Sequence, residues 1–208
     1  MTLKILGRDT SSNVMKVLWA CAELGIEFVR DDIGGKYGGN DTPEYRSLNP
    51  NGLVPTIVED DGFVLWESNA CVRYLAAKYD FGGLCPENLR LRASAERWMD
   101  WQMTTVSPAM IPVFRGMIRT PPEKRDMVAI EQGRDRLSAT MAILNDNLAD
   151  RAFMTGDAFT MGDIPVGIAA WRWFNMPIER EEYPHLKRWC DALADRIGYR
   201  RYIMKPVT

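Results

Sequence analysis

The stretch "NPNGLVPTI", residues 49–57, determines how the first part of this chain folds. Its proline, Pro55, stands directly before Thr56-Ile57-Val58, a run that otherwise has the composition of a β-strand. Proline lacks the N–H that a central strand needs, so Pro55 belongs at the first residue of the strand. The bond that joins it to Val54 is one where a cis peptide costs only about 0.5–1 kcal/mol over trans.

A cis bond between Val54 and Pro55 would have a consequence for binding. The chain would turn sharply before the strand, and the N–H and C=O of Val54 would point outward at a sheet edge. An extended peptide can pair with such an edge as an added strand. The alternative is an ordinary trans proline that merely begins the strand.

Strand and helix patterns alternate on both sides of this stretch through residue 80. Short apolar runs predict strands, and apolar residues at steps of three and four predict helices. The turn Asp60-Asp61-Gly62 joins two strand patterns and predicts a hairpin. The predicted order is β-α-β and then, after a short helical turn at 43–45, β-β-α. Strands are expected at 3–6, 27–33, 56–59 and 63–66, and the longer helices at 14–25 and 68–79.

Only helical patterns follow the segment 81–88, which contains glycine and proline and is predicted to be a linker. Thr160 and Asp163 have the spacing of a capping box at the start of one of these helices. The sequence therefore predicts an α/β domain over residues 1–80 and an all-helical domain over 89–208. The helices of the second domain are expected at 90–118, 124–148, 161–174 and 185–196.

The composition excludes several classes of protein. The chain has 26 Lys and Arg against 28 Asp and Glu, a net charge of −2, and no basic run, which argues against a nucleic-acid partner. No apolar run reaches the ~18 residues of a membrane span, and no apolar leader precedes the first strand. We therefore expect no membrane partner and no secretion, and a cytoplasmic location.

The cysteines and the single histidine offer little for metal or redox chemistry. Cys21, Cys71, Cys85 and Cys190 are widely separated, and none forms a C-x-x-C pair. This spacing argues against a zinc site, a disulfide framework and a two-cysteine redox centre. Cys21 and Cys71 fall on apolar helical faces and are expected to be buried structural thiols. His185 is likewise expected to be structural, because the chain lacks the partners of histidine-dependent chemistry.

A polar turn, "GRDTSSNVMKV" at residues 7–17, separates the first strand from the first helix. Thr10, Ser11, Ser12 and Asn13 crowd the expected helix N-terminus, although capping needs only one of them. A helix N-terminus with nearby hydroxyls lowers the pKa of an adjacent thiol. No cysteine of the chain lies there, so an activated thiol would arrive with a ligand. The alternative is an N-terminus with more capping residues than it needs.

Glu67 and Ser68 stand where the second hairpin strand ends and the next helix begins. Ser68 is expected to be the N-cap of this helix, with free backbone N–H groups behind it. Such a helix end is an anion site that suits a ligand carboxylate, and Glu67 would meet a ligand ammonium. The alternative is that the pair only caps the helix.

These elements, in this order, resemble the cytosolic glutathione transferase family, over essentially the whole chain. The resemblance implies a thioredoxin-like N-terminal domain (βαβαββα, with a cis-proline) and an all-α C-terminal domain, in a homodimer. It also implies glutathione as the cosubstrate, without a metal, whose thiol is added to a small hydrophobic electrophile or exchanged with a disulfide. It rests on "SSNVMKVLWACAELG", "NPNGLVPTI", "LWESNACVRYLAAKY" and "FTMGDIPVG".

The resemblance also implies roles for the residues of the polar turn. The hydroxyl position of the family falls on Ser11, as in the theta, delta and nu-type branches that use Ser or Thr. Ser11 would donate a hydrogen bond to the glutathione sulfur and favour its thiolate, and Asn13 would lie beside the same sulfur. Thr10 and Ser12 are neighbours that could take the role of Ser11.

The other end of glutathione would meet the remaining motifs. The resemblance implies that the γ-glutamyl end binds Glu67 and Ser68, and that the cysteinyl backbone pairs with Val54 beside Pro55. One position departs from the pattern, because relatives often have a lysine where this chain has Leu53. That lysine meets the glycyl carboxylate of glutathione, so the departure puts glutathione affinity in question. Asn51, Lys36 and Asn40 are the residues that would compensate.

The second substrate is expected between the turn at 7–13 and the first long helix. The candidates form an apolar patch that ends in a cation, although plain helix packing would give the same pattern. Asp100 and Gln102 are candidates to reach across a dimer to the other subunit. The patch consists of Met110, Pro112, Val113, Phe114 and Arg115.

Two functions follow from these residues. The first is a glutathione transferase, which uses the bound thiol for conjugation or for reduction of disulfides and peroxides. The second is a non-catalytic relative that acts through protein–protein interaction, as stringent-starvation and elongation-factor-associated relatives do. The presence of Ser11, Glu67 and Ser68 favours the enzyme, whereas Leu53 favours the interaction protein.

Overall fold

The first domain is built around strand β1 (Leu3–Leu6), which lies between two partners in a four-stranded sheet of order β2-β1-β3-β4. The computed structural model describes residues 2–208. Strand β1 pairs in parallel with β2 (Phe28–Asp31) and antiparallel with β3 (Thr56–Val58). Strand β3 pairs antiparallel with β4 (Val64–Trp66), which confirms the predicted hairpin, although β2, β3 and β4 are each shorter than predicted.

Two helices cover this sheet and form its core. Helix α1 (Ser12–Glu23) contributes Val14, Val17, Leu18 and Cys21, which recur on one face as predicted. Helix α3 (Ser68–Tyr79) packs Cys71 and Leu75 into the same cluster, against Ile5 of β1 and Ile57 of β3. The shorter helix α2 (Pro43–Leu48) begins at Thr42, whose hydroxyl accepts the N–H of Tyr45 at 3.3 Å. The order β-α-β-α-β-β-α is therefore confirmed.

The Val54-Pro55 bond is cis, as the family resemblance implied. Thr56 follows directly and pairs with Leu6 and Trp66 on either side. The segment before the proline is fixed through the carbonyl of Leu53, which accepts from the Tyr45 hydroxyl at 2.6 Å and from the Asn49 amide at 2.8 Å.

The segment from 89 to 119 forms a helical rod that is interrupted twice. Helices α4 (Leu89–Trp101) and α5 (Ser107–Phe114) are separated by a π-helical turn at Gln102–Val106, and a second π-turn follows at Arg115–Arg119. Pro108 and Pro112 lack the N–H that a regular helix would use here, so the wider turns occur where the ladder is already broken. A single helix over 90–118 was the prediction, and the structure corrects it.

Four more helices complete the all-helical domain. Helix α9 was not predicted; it has only six residues, too few for a periodic pattern to stand out. The boundaries 1–80, 81–88 and 89–208 stay a prediction, and Met1 lies outside the described residues. The helices are α6 (Met127–Asn147), α7 (Asp163–Asn175), α8 (Pro184–Ala194) and α9 (Ile197–Tyr202).

The start of α7 is held by a buried carboxylate, Asp163. It accepts the N–H of Thr160 at 2.9 Å, which confirms half of the predicted capping box, and the N–H of Met154 at 2.9 Å. The other half is wrong, because the N-cap is Gly162, whose own N–H donates to the Thr160 hydroxyl at 3.3 Å. The indole N–H of Trp189 adds a third bond to Asp163 at 3.1 Å. Burial raises the pKa of Asp163 to about 6, against the pull of these hydrogen bonds.

The four cysteines are free thiols. Cys21 and Cys71 are fully buried, as predicted, and burial raises the pKa of each to about 12. Burial also raises the pKa values of Cys85 and Cys190. None of these thiols is therefore a thiolate at neutral pH. Within residues 2–208, none of the helices combines the length and the apolar character that crossing a membrane requires.

Candidate functional site

The backbone of Val54 is unpaired at the end of the sheet where β3 begins. Neither its N–H nor its C=O is hydrogen-bonded to any residue within 2–208, because the ladders of β3 begin at Thr56. The approach to this end of the sheet is kept open by Gly7, since a β-carbon there would lie 3.1 Å from Cβ of Val54 and 2.6 Å from a methyl of Val14. An extended peptide has here one donor and one acceptor to pair with.

The start of α3 differs from the prediction in one respect. Ser68 is the first residue of the helix, and Glu67 is the N-cap, without a side-chain cap hydrogen bond. The predicted assignment of Ser68 as N-cap is therefore wrong by one position. Glu67 has φ +72°, the only positive φ of a non-glycine residue in 2–208, and such outliers concentrate at functional sites.

The side-chain carboxylate of Glu67 and the backbone N–H of Ser68 are both available to a ligand. Glu67 is exposed, and its carboxylate makes no hydrogen bond or ion pair with the residues described. The backbone N–H of Ser68 is one of the first amides of α3, which have no acceptor inside the helix. A free carboxylate therefore lies next to a helix end that attracts anions, which suits a ligand with adjacent ammonium and carboxylate groups.

The Ser68 hydroxyl joins this helix end to α1. It donates to the amide oxygen of Asn13 at 3.3 Å and accepts from the ammonium of Lys16 at 3.4 Å. Asn13 and Ser68, which were expected beside the sulfur and the γ-glutamyl end of the bound ligand respectively, are thus in direct contact.

Lys16 was not predicted to belong to the site. It is 2% exposed, and burial lowers its pKa to about 7, although the charge of Glu67 acts in the opposite direction. The positive charges of Arg172 and Arg73 lower it further. The sequence offered one signal, a lysine within the apolar run of a buried helix, directly after a turn already rich in polar groups.

Ser11 is the N-cap residue of α1, but its side chain makes no capping hydrogen bond. Its hydroxyl bonds to no residue of the described chain, so it is free to donate to a ligand. The neighbouring hydroxyls point to different places. Thr10 lines a small cavity beside the C-terminal residues 205–208, and Ser12 lines the larger cavity between the two domains.

The larger cavity, of about 270 Å³, lies beside the N-terminus of α1, where the second substrate was expected. Met110 and Phe114 line it, as predicted, whereas Pro112, Val113 and Arg115 do not. Val113 is instead fully buried in the core.

Polar groups that the sequence did not place in this cavity lie on its walls. Gln102 is buried there, with its amide nitrogen bonded to Ser107 at 2.7 Å and its amide oxygen without a partner in residues 2–208. The predicted role of Gln102 across a dimer stays untested. Arg172 of α7 also lines the cavity, with its guanidinium 4.5 Å from the ring centroid of Phe114.

Leu53 stands where relatives often have the lysine that meets the glycyl carboxylate of glutathione. Leu53 is 64% exposed. Among the residues expected to compensate, Asn40 already donates to the carbonyl of Gly52 at 2.7 Å, and the Asn51 amide is bonded to Asn49. Lys36 is exposed and lies over the ring of Tyr37.

Within residues 2–208, no cluster of three or more His, Cys, Asp or Glu side chains has the arrangement of a metal site. The groups that surround the candidate site are hydroxyls, amides, cations and one free carboxylate. Such a set can pair with both the ammonium and the carboxylate of a zwitterionic organic ligand.

Comparison with known proteins identifies the family to which this chain is similar. The model of the glutathione S-transferase N-terminal domain matches residues 10–78, and that of the C-terminal domain matches residues 127–192. The chain is 38% identical to glutathione S-transferase GstB of Escherichia coli K12 over 207 residues, which cover 99% of this chain and all of that protein.

Solved structures agree with the sequence comparison. The theta class glutathione S-transferase of Xanthomonas axonopodis pv. citri, with glutathione bound, superposes with a TM-score of 0.94 at 45% identity and covers 99% of both chains. Glutathione transferase F7 of Populus trichocarpa, at 23% identity and a TM-score of 0.85, shares the fold. Two domain models, a curated relative and a ligand-bound structure thus agree that the chain belongs to the glutathione S-transferase family.

Proposed function

We propose that this protein is an active glutathione transferase that binds glutathione in extended form along the Val54 backbone. The observation that carries this proposal is the set of unused groups at one place: the Val54 backbone, the Glu67 carboxylate, the first amides of α3 and the Ser11 hydroxyl. Each matches a complementary group of a γ-glutamyl tripeptide. The cysteinyl backbone pairs with Val54, and the γ-glutamyl ammonium and carboxylate meet Glu67 and Ser68.

Ser11 activates the thiol in this proposal. Its hydroxyl donates to the glutathione sulfur at the N-terminus of α1, where the helix dipole also favours negative charge. Both effects lower the thiol pKa from the value of about 8.5 of a free cysteine. Ser11 keeps its own proton, and Asn13 holds the adjoining Ser68 in position. The thiolate then attacks an electrophile in the neighbouring cavity, and the thiol proton passes to solvent.

Conjugation is the reaction that the cavity favours. Disulfide reduction by the protein itself would need a second reactive thiol, whereas all four cysteines have raised pKa values and none lines the cavity. Reduction would therefore require a second glutathione. The apolar lining by Met110, Ile111 and Phe114 suits the body of a small electrophile.

The interaction protein is the second candidate, and Leu53 is the feature that favours it. A protein that had lost glutathione binding would have no reason to keep a free Glu67 carboxylate in a strained conformation. We further propose a homodimer in the cytoplasm, with residues 81–88 as the linker. The four free thiols are compatible with a reducing compartment.

Retention on immobilised glutathione tests the proposal most simply. The unmodified protein should be retained and eluted by free glutathione, and Glu67→Ala should abolish retention. Glu131→Ala, which removes an exposed carboxylate on α6, is the matched control and should be retained normally. Failure of the unmodified protein both to bind and to conjugate 1-chloro-2,4-dinitrobenzene would favour the interaction protein.

A further inference from the structure

Arg172 is a cation without a counter-ion on the wall of the second-substrate cavity. Its guanidinium makes no hydrogen bond and no ion pair with any residue in 2–208, and its one specific contact is the face of the Phe114 ring. A partly buried arginine usually has a carboxylate or carbonyl partner, because five N–H donors are costly to leave unpaired. Arg172 lines this cavity and also the smaller one beside residues 205–208.

Other positive charges lie near Arg172. The nearby Arg8 and Arg119 are both positive, and burial together with these two charges lowers the pKa of Arg172 to about 10. Lys16 also lines the cavity, although its ammonium is bonded to the Ser68 hydroxyl on the glutathione side. None of the residues that line the cavity is an aspartate or a glutamate. The cavity therefore holds positive charge that the protein itself does not neutralise.

Much of the remaining lining is apolar and comes from Met103, Met110, Ile111, Phe114 and Ile168. Its other polar residues besides Lys16 are uncharged: Ser12, Asn13, Gln102 and Ser107. The guanidinium lies 4.5 Å from the centroid of the Phe114 ring, and none of its N–H donors is bonded to a residue in 2–208, so they are available to a bidentate partner. A ligand that matches these walls has an apolar or aromatic body and a single compact anionic group.

We propose that this cavity selects electrophiles that carry a carboxylate, which Arg172 binds. This inference rests on the proposed function, since it names the class of second substrate for the same site. Carboxylates suit the guanidinium fork because two parallel N–H···O bonds can form at once. Arg172 thereby orients the electrophilic carbon toward the thiolate at the N-terminus of α1.

A matched pair of substrates tests this selection. The probes are 4-chloro-3,5-dinitrobenzoate and the corresponding benzamide, which share the reactive carbon and differ in charge. In both, the glutathione sulfur forms a bond to the ring carbon, the carbon–chlorine bond breaks, chloride leaves with the electron pair, and the thiol proton passes to solvent. The measured quantity is the ratio of kcat/KM for the acid to kcat/KM for the amide, corrected for the uncatalysed rates.

Three variants define the expected result. Arg172→Met should lower the acid-to-amide ratio by about tenfold to a hundredfold, the range expected for a charge-assisted hydrogen bond. Arg172→Lys should restore part of the ratio, mainly through KM, because it returns the charge without the fork. Arg97→Met is the matched control, since it removes an exposed guanidinium that also lies over an aromatic ring, and it should leave the ratio unchanged.

The outcomes separate this inference from the proposed function. If 1-chloro-2,4-dinitrobenzene is conjugated but the acid is not, the carboxylate selection is wrong while the transferase stands, and if none of the three electrophiles is conjugated and glutathione is not bound, the proposed function fails. If the amide is conjugated but Arg172→Met leaves the ratio unchanged, the carboxylate selection is wrong while the transferase stands. If Arg172→Met lowers both rates equally, Arg172 stabilises the thiolate instead, and the inference is overturned.

Discussion

The ammonium of Lys16 lies 3.4 Å from the hydroxyl oxygen of Ser68, at the N-terminus of the helix that Glu67 caps. A buried cation and a helix N-terminus thus act on the same small region, and both attract negative charge. No aspartate or glutamate of residues 2–208 forms an ion pair with Lys16. The γ-glutamyl carboxylate of glutathione is the anion that the proposed binding mode brings there.

Binding at this position should depend on pH through Lys16. Its pKa of about 7 means that the ammonium loses its charge near neutrality, and the charges of Glu67, Arg73 and Arg172 are those that act on it. A bound carboxylate favours the ammonium, so affinity should fall as pH rises above about 7, by up to about tenfold per pH unit. Calorimetry with S-methylglutathione measures this, because that ligand has no thiol to titrate.

Lys16→Met provides the control for the pH experiment. The variant should bind more weakly at low pH, and its affinity should not change across the same range. A pH-independent affinity in the unmodified protein would show that Lys16 does not take part in binding.

The same substitution should stabilise the fold. The folded-state pKa of Lys16 lies below its value of 10.5 in the unfolded chain, so folding releases a proton and the charged form is penalised. We expect Lys16→Met to raise the free energy of unfolding by about 0.5–2 kcal/mol near pH 7. The gain should shrink as pH rises toward the unfolded-state pKa, where both states are neutral. Urea unfolding at several pH values checks this, and a destabilised variant would contradict it.

The contribution of Asp163 to stability should depend on pH in the direction opposite to that of Lys16. Its folded-state pKa of about 6 lies above the unfolded value of 3.8, so its titration contributes stability that is fully present below the unfolded value and lost as pH rises through about 6. Asp163→Asn places an NH₂ group against the N–H of Thr160 or of Met154, which leaves a buried donor unsatisfied at a cost of about 1–3 kcal/mol. The exposed Asp157→Asn is the control. Equal thermal stabilities of the two variants would contradict this account.

Restoring a cation at position 53 should strengthen glutathione binding. Leu53→Lys adds an exposed ammonium that can pair with the glycyl carboxylate, worth about 0.2–1 kcal/mol, or up to about fivefold in Kd. Leu53→Ala controls for loss of the apolar side chain. The gain should disappear with γ-glutamylcysteine, which lacks the glycine. A gain that persists with that dipeptide would place the glycyl end elsewhere.

The local patterns of the sequence predicted most of the first domain. Pro55 restricts the start of a strand, Asp60-Asp61-Gly62 directs a hairpin, and the apolar spacing of 68–79 gave α3 with its observed ends. The π-turns after Trp101 and Phe114 were missed, because they arise from how α5 accommodates two prolines while it packs on α6. The spacing of apolar residues does not contain that information.

The sequence predicted the parts of the site that lie at the ends of strands and helices, but not the parts that lie within helices. Val54 and Glu67 could be named because each lies at the end of a strand or a helix, where backbone groups are unpaired. The same reasoning located the polar turn at residues 10–13, but the choice of Ser11 within it came from the family resemblance. Lys16 and Arg172 could not be named, because each lies inside a helix and acquires its role from elements distant in the chain. The sequence also could not show that Glu67 is the N-cap and Ser68 the first residue of α3. The positive φ angle of Glu67 determines where this helix begins.

The ionisation of bound glutathione tests the central claim most directly. The ultraviolet absorbance of the thiolate, followed against pH on the enzyme, gives the pKa of the bound thiol in the unmodified protein and in Ser11→Ala, Thr10→Ala and Ser12→Ala. We predict a bound thiol pKa at least about one unit below that of free glutathione, which only Ser11→Ala returns to the free value. A bound thiol that titrates like free glutathione, or a lowered pKa that survives Ser11→Ala, would contradict the assignment of Ser11 as the activating hydroxyl.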